Sequence, residues 1–207
     1  MYNSKLRTFH SQPLNEKYLK EAALVLEQGG MIIFPTDTVY ALGCLSTKNE
    51  SLNRLAKIKG VKLERAPLSF IFKDIREMAS FVLPMTSKVF KLVKRLLPGP
   101  FTFIMPAAKK LPFPFQKRKT VGVRISDHPV LKNLLPLLSS PIVCKSIHDP
   151  DRILEYTTDP EELLLRWDNE IDLMLSYGYG SNIPSTVIDL SVLPFKILRK
   201  GAGNIPF

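Results

Sequence analysis

Short apolar runs that stop at prolines or polar residues recur along the chain, and they limit what it can fold into. Met31-Ile32-Ile33-Phe34 stops at Pro35, and Phe101-Thr102-Phe103-Ile104-Met105 stops at Pro106. Runs of this length are typical of buried strands and are short for helices. Further runs of this kind cover residues 68–72, 121–125, 141–144, 172–175, 186–190 and 195–199. The sequence therefore predicts a sheet of many short strands.

Helical periodicity separates several of these strands. After Asn15, apolar residues recur with spacings of three and four up to Leu26, and Gly29-Gly30 ends the pattern. Further helices are predicted for residues 51–59, 74–82, 87–97, 129–138 and 160–169. Because strands and helices interleave without a strict βαβ repeat, the predicted fold class is α/β, a twisted mixed sheet with flanking helices. The 207 residues contain no linker-like stretch, so we expect one domain over residues 1–207.

Several classes of protein are disfavoured by what the sequence lacks. Its two cysteines, Cys44 and Cys144, are too far apart for a metal motif and too few for a disulfide framework. No apolar run approaches the roughly 18 residues of a membrane span, and Met1–Pro13 lacks the apolar core of a signal peptide. We therefore expect a cytoplasmic protein. Walker A, GxGxxG, HExxH and GxSxG motifs are absent, so any bound nucleotide needs a different cradle.

The charge is strongly positive and unevenly distributed. The net charge is +10, and residues 88–124 contain ten lysines and arginines but no acidic residue. Residues 149–172 are acidic instead. Such a balance favours binding of nucleotides, RNA or other polyanions, although a basic protein can also be charged simply to stay soluble.

Three polar segments interrupt the apolar pattern and are candidates for chemistry. Thr36, Thr38 and Tyr40 follow a predicted strand, where ligands of α/β sheets bind, although threonines also occur in ordinary turns. Lys57 and Lys59 near a helix end suit phosphate, or merely the helix dipole. Arg124 interrupts an apolar strand and needs a partner, either a ligand anion or a buried carboxylate such as Asp127.

Two later segments complete the set of candidates. Ser146 and His148 follow another strand, and His148 next to Asp149 is a possible acid or base, although such neighbours are often accidental. Ser185 precedes a strand, and Arg199 begins a basic turn with two glycines that would let a phosphate approach the backbone.

Taken in order, these segments resemble the YrdC-like family of threonylcarbamoyl-AMP synthases. The matching stretches are Pro35-Thr36-Asp37-Thr38-Val39-Tyr40-Ala41-Leu42-Gly43-Cys44, Pro98-Gly99-Pro100-Phe101-Thr102-Phe103-Ile104, Val121-Gly122-Val123-Arg124-Ile125-Ser126-Asp127-His128-Pro129, Pro184-Ser185-Thr186-Val187-Ile188-Asp189-Leu190 and Arg199-Lys200-Gly201-Ala202-Gly203. Each stretch is weakly specific alone, but the ordered set is specific. Lys117-Arg118-Lys119-Thr120 and the acidic region from Asp159 to Asp172 further resemble the YciO branch of this family.

The resemblance implies a YrdC-like fold with a large basic concave cavity. It also implies a reaction in which L-threonine, bicarbonate and ATP, accompanied by Mg²⁺, give threonylcarbamoyl-AMP and pyrophosphate for tRNA modification. By motif position, the residues that would contact threonine or the carbamate are Thr36, Thr38, Tyr40, Arg124 and Ser185. Those that would contact ATP are Lys57, Lys59, Ser146 and Arg199. No residue is predicted to be a catalytic nucleophile or a metal ligand.

Two departures from the family pattern fall on the ATP side. Lys59 stands where the family has arginine, and His148 stands where it has asparagine, with the bulky Ile147 in place of alanine. Three hypotheses therefore remain open. The chain is a synthase, a diverged protein that binds tRNA or double-stranded RNA without synthase activity, or an enzyme acting on another small phosphorylated or carbamoylated metabolite.

Overall fold

The computed structural model describes residues 5–58, 60–148 and 155–205. For residues 65, 155 and 156 it describes only the backbone. Within these residues, ten strands form one mixed sheet. The strands are β1 (Leu6–Thr8), β2 (Ile32–Phe34), β3 (Ala41–Leu45), β4 (Ser69–Ile71), β5 (Phe101–Pro106), β6 (Thr120–Arg124), β7 (Ile142–Ser146), β8 (Leu173–Ser176), β9 (Thr186–Asp189) and β10 (Lys196–Arg199). Their order across the sheet is β1-β8-β2-β3-β7-β4-β6-β5-β9-β10. Parallel and antiparallel pairs alternate irregularly, which confirms the predicted mixed α/β class.

Seven α-helices in the described residues flank this sheet, and several begin at the capping residues that the sequence offers. They are α1 (Glu16–Glu27), α2 (Asn49–Ile58), α3 (Ile75–Ala79), α4 (Ser87–Leu96), α5 (Pro129–Leu134), α6 (Glu155–Thr158) and α7 (Pro160–Trp167). The side chain of Asn15 accepts from the backbone N–H of Lys17, and Gly29 follows α1 with a φ of 90°. Asp159 caps α7 in the same way. None of the helices described here is long and apolar enough to cross a membrane.

The two faces of the sheet have separate cores. On one face, α1 and α5 pack against Phe34, Ile71 and Ile142. On the other face, Phe70 lies at the centre of an aromatic cluster whose ring centroids are 4.9 Å away for Phe115 and 5.4 Å away for Phe81. Side chains alternate between the faces along each strand, so the apolar runs can fill both cores.

Part of the face that carries α1 and α5 is left uncovered. Four side chains that point to this face from interior strands are only half-buried: Ser69, Ile104, Ser146 and Val187. By contrast, Phe70 on the opposite face is fully buried. Interior strands with accessible small and polar side chains leave room for a ligand on the sheet.

The structure differs from the predicted elements in several places, and α6 is among those that the sequence did not predict. The prediction left residues 41–45 outside any strand, but they form the fully buried β3, whose small residues Ala41 and Gly43 hide the apolar pattern. The predicted helix over residues 129–138 ends at Leu134 and continues as a 3₁₀ turn, because Pro136 has no N–H to donate. The strand Leu6–Thr8 was not predicted, since three residues carry little periodicity.

The aromatic cluster gives a test of the core. Phe70→Ala should lower the free energy of unfolding by about 3–5 kcal/mol, since it removes a fully buried ring and leaves a cavity. Phe113→Ala is the matched control, because that ring is 60% exposed and its loss should change stability by less than about 0.5 kcal/mol. Urea unfolding measures both, and equal effects would contradict this packing.

Candidate functional site

The polar segment between β2 and β3, residues 35–40, is a tight loop, here called the threonine loop, that is held by hydrogen bonds of Thr36 and Thr38. Thr36 Oγ1 donates to the carbonyl of Val39 over 2.6 Å and accepts from the backbone N–H of Thr38 over 3.1 Å. Both threonine side chains are buried. These bonds fix the loop backbone before any ligand binds, so its remaining polar groups have defined positions.

Arg124 joins this loop to β6. Its side chain is almost fully buried, and Nη2 donates to Asp37 Oδ1 over 2.8 Å and to Thr38 Oγ1 over 2.6 Å. The sequence left a ligand anion or Asp127 as its partner. The carboxylate is Asp37, whereas Asp127 lies at the surface and pairs with Lys132. A buried guanidinium requires such a partner because an unpaired buried charge is strongly destabilising.

Ser126 extends the same network. Its Oγ donates to Asp37 Oδ1 over 2.6 Å and accepts from the backbone N–H of Asp37 and of His128, each over 3.3 Å. Asp37 Oδ2 and Arg124 Nε are buried and have no hydrogen-bond partner among the described residues. Buried charged groups seldom leave atoms unsatisfied, so this pair has capacity for a further polar group.

A cavity of about 240 Å³ opens beside this network. Its walls are the loop of Thr36, Asp37, Thr38 and Tyr40, together with His128 and the segment from Tyr177 to Ser181.

Tyr40 fixes the far wall of the cavity. Its hydroxyl donates to the carbonyl of Gly178 over 2.7 Å and accepts from the backbone N–H of Tyr177. Gly180 lies so close to the Tyr40 ring that a β-carbon there would approach it to 2.6 Å. Burial raises the pKa of Tyr40, so its phenol stays neutral.

Ser185 and Arg199 form a second polar cluster next to the first. Arg199 Nε and Nη2 donate to the carbonyl of Ser185 over 3.0 and 2.9 Å, and the Ser185 hydroxyl lies 2.8 Å from that of Thr102. Partial burial lowers the pKa of Arg199, and repulsion from Arg124 lowers it further. The charge of Arg199 therefore adds positive potential next to the Arg124–Asp37 pair, which favours the binding of anions.

The predicted ATP-binding residues other than Arg199 lie at separate places in the structure or outside the described residues. Ser146 pairs with Ala41 in the ladder between β7 and β3, directly after the threonine loop, and is half-buried. Lys57 is exposed at the end of α2 and lines a separate cavity of about 540 Å³ with Asn53, Gly60 and Lys62. Within the described residues, Lys57 does not join the Arg124 network. Lys59 lies outside them, as does Asp149, the sequence neighbour of His148.

His128 lines the cavity, although the sequence predicted no role for it as a site residue. Its Nδ1 accepts from the backbone N–H of Val130 over 3.2 Å and thereby caps α5, whose first residue is Pro129. Burial lowers the pKa of His128 to about 4, with Asp37 acting weakly in the opposite direction. The imidazole is therefore neutral at physiological pH.

The sequence did contain a signal for the capping role of His128, because it is a polar residue directly before a proline that begins a helix.

Comparison with known proteins gives one consistent group. A sequence profile of the Sua5/YciO/YrdC family, described as telomere recombination, matches residues 24–201. YciO of Escherichia coli is 31% identical over 205 residues, covering 96% of this chain and 98% of its own. A threonylcarbamoyl-AMP synthase of Halorhodospira halophila is 30% identical over 135 residues, covering 65% of this chain and 70% of its own.

Solved structures agree with the sequence matches. The crystal structure of E. coli YciO has a TM-score of 0.87 and covers 98% of both chains at 30% identity. The structure of P. abyssi Sua5 complexed with L-threonine has a TM-score of 0.83 at 25% identity, and the match covers 95% of this chain and 57% of that one.

The Arg124–Asp37 pair should dominate local stability. Asp37→Ala leaves a buried guanidinium without its carboxylate and should lower the free energy of unfolding by about 3–5 kcal/mol. Asp127→Ala removes an exposed pair and should change it by less than about 1 kcal/mol. In urea unfolding, the double variant Asp37→Ala/Arg124→Met should lose less than the sum of its single variants. Additive losses would show that the two groups are not coupled.

The lowered pKa of His128 predicts a dependence of stability on pH. The unfolded chain takes up a proton at the ordinary value of 6.5, but the folded protein does so only near 4. Stability is therefore complete above pH 6.5 and is lost as the pH falls towards 4. His128→Asn, which keeps a capping oxygen but does not titrate, should lose less over this range. NMR titration of the imidazole measures the pKa directly, and a value near 6.5 would contradict its burial.

Proposed function

Because this chain belongs to the Sua5/YciO/YrdC family, we propose that it is a threonylcarbamoyl-AMP synthase. The amine of L-threonine forms a bond to the carbon of bicarbonate, and water is released. An oxygen of the resulting carbamate then attacks the α-phosphorus of ATP and displaces pyrophosphate. The product, threonylcarbamoyl-AMP, feeds threonylcarbamoyladenosine modification of tRNA.

The observation that carries this proposal is the cavity beside Arg124 and Asp37. About 240 Å³ is less than the roughly 300–1,000 Å³ of pockets for drug-sized ligands, and it suits a single amino acid. Asp37 and Thr38 line the cavity, and Arg124 donates to both of them, so its positive charge lies directly behind one wall, where it would attract a carboxylate or carbamate. The relative solved with L-threonine supports the same class of ligand.

Charge neutralisation is the chemistry that this site would supply. The reacting groups are a carbamate and a phosphate, both negative, so they must be brought together against their mutual repulsion. Arg199 and Arg124 would provide positive charge here, and they lie close enough for the charge of Arg124 to lower the pKa of Arg199 below its ordinary value. Positioned positive charge of this kind lowers the barrier without a protein nucleophile.

The uncovered part of the sheet is the proposed place for the nucleotide. The face that carries Arg124 also carries Ser69, Gly122 and Ser146. Two small side chains and a glycine leave space above these strands. Ser185 and Arg199 would contact phosphate at the edge of this space. Lys57, in the last turn of α2, and Lys59 are further proposed phosphate contacts.

Mg²⁺ would enter with ATP as part of the substrate. The described residues contain no group of three or more His, Cys, Asp or Glu side chains arranged to hold a metal ion. Mg²⁺ commonly keeps several waters and binds mainly through substrate phosphates. The protein's own contribution would then be the arginines around the phosphates.

The direct test is synthesis. Purified protein, incubated with ATP, Mg²⁺, bicarbonate and L-threonine, should release pyrophosphate and form the adenylate detected by mass spectrometry. Arg124→Lys should lower the rate by at least about tenfold, since lysine keeps the charge but loses the planar fork that binds Asp37, Thr38 and a carboxylate together. Arg95→Ala, at the exposed surface of α4, is the control and should retain activity. Absence of both product and ATP binding would overturn the proposal.

RNA binding is a second candidate function, favoured by one observation. The cations of residues 88–119 are mostly exposed, and they include Lys88, Lys91, Lys94 and Arg95 along α4, with Lys109, Lys110, Lys117 and Lys119 beyond it. Exposed cations bind tRNA or double-stranded RNA through phosphates with little sequence preference. In this case, Lys91→Glu/Lys94→Glu should weaken binding and flatten its salt dependence in filter-binding assays. Unchanged affinity would remove α4 as the binding surface.

A further inference from the structure

The imidazole of His128 presents one defined donor to the cavity. Since Nδ1 accepts the N–H of Val130, the proton of the neutral ring is on Nε2. Nε2 donates to no residue that the structure describes, and it is not among the buried polar atoms without a partner. Because His128 lines the cavity, this accessible N–H is available to a ligand there.

The position of this donor is fixed from three sides. The backbone N–H of His128 bonds to Ser126 Oγ, which in turn bonds to Asp37. The ring packs edge-on against Tyr177, with centroids 5.2 Å apart and planes at 87°. Nδ1 is held by its hydrogen bond from the backbone N–H of Val130, which caps α5. A donor held in this way is suited to selecting among ligands, because little freedom is lost when it binds.

We propose that His128 recognises the β-hydroxyl of the amino-acid substrate, with Nε2–H donating to the hydroxyl oxygen. This inference rests on the proposed function, because it assigns a residue to the same amino-acid cavity. A carboxylate of the substrate is disfavoured at Nε2, because His128 is neutral and the negative charge of Asp37 acts at this position. A hydroxyl is uncharged and accepts a hydrogen bond without that repulsion.

Two substitutions distinguish the capping role of Nδ1 from the proposed ligand-binding role of Nε2. His128→Asn keeps an oxygen at the position of Nδ1 and can still cap α5, but it loses the donor at Nε2. His128→Gln reaches the position of Nε2 with an amide N–H but lacks the capping atom. Calorimetric titration of each variant with L-threonine and with L-2-aminobutyrate, which has no hydroxyl, isolates the contribution of the donor. Circular dichroism and urea unfolding establish that each variant is folded.

The wild-type protein should bind L-threonine about tenfold more tightly than L-2-aminobutyrate, in the range of one neutral hydrogen bond. His128→Asn should lose that preference by weakening only threonine, and His128→Gln should restore most of it. If His128→Asn lost affinity for both ligands alike, or kept the wild-type preference for threonine, the proposed role of His128 would be overturned. The proposed function of the protein would not be affected by that result. A wild-type protein that binds neither ligand and forms no adenylate would overturn the proposed function with it.

Discussion

Arg124 places a positive charge on an interior strand of a ten-stranded sheet, and the arrangement of the cavity depends on how that charge is paired. The partner, Asp37, comes from a loop 87 residues earlier in the chain. The same guanidinium also bonds to Thr38, and the same carboxylate to Ser126. Since a buried ion pair is stable only when both members are present and well bonded, this contact locks the loop after β2 onto the strand β6.

The order of the strands makes that contact possible. The antiparallel pair β2 and β3 closes the threonine loop, and β7 and β4 separate this pair from β6. Helices cover one part of the shared face and leave Ser69 and Ser146 accessible between the two polar clusters. A small polar cavity and an uncovered part of the sheet thus lie on one side of the sheet. The proposed reaction, which joins an amino-acid derivative to a nucleotide, would use both.

The sequence was sufficient for the fold class and the family, because both depend on patterns that extend over many residues. Apolar runs ending at prolines marked most strands, and ordered motifs identified the family that the comparisons confirm. Individual partners were harder to predict. Asp127 was named as a buried partner of Arg124 because it is near in sequence, but only the folding of the sheet brings Asp37 to the guanidinium.

His128 is a second case in which the sequence did not predict a contact that shapes the cavity. Its neutral state follows from burial, and neither its contact with Tyr177 nor its cap on α5 is visible in a sequence. The predicted ATP contacts Lys57 and Ser146 lie in different parts of the described structure, and their roles remain proposals. Long-range contacts decide which of several plausible polar residues share a site, whereas local patterns decide only which ones are available.

We propose that an amino acid binds in the cavity between the threonine loop, His128 and the loop after β8. Titration of ¹⁵N-labelled protein with L-threonine tests this claim most directly, because amide shifts report the position of the ligand. We predict saturable shifts at Thr36, Thr38 and His128 and in the segment from Tyr177 to Ser181. Shifts confined to the cavity beside α2, around Lys57 and Lys62, or no shifts at all, would contradict the account.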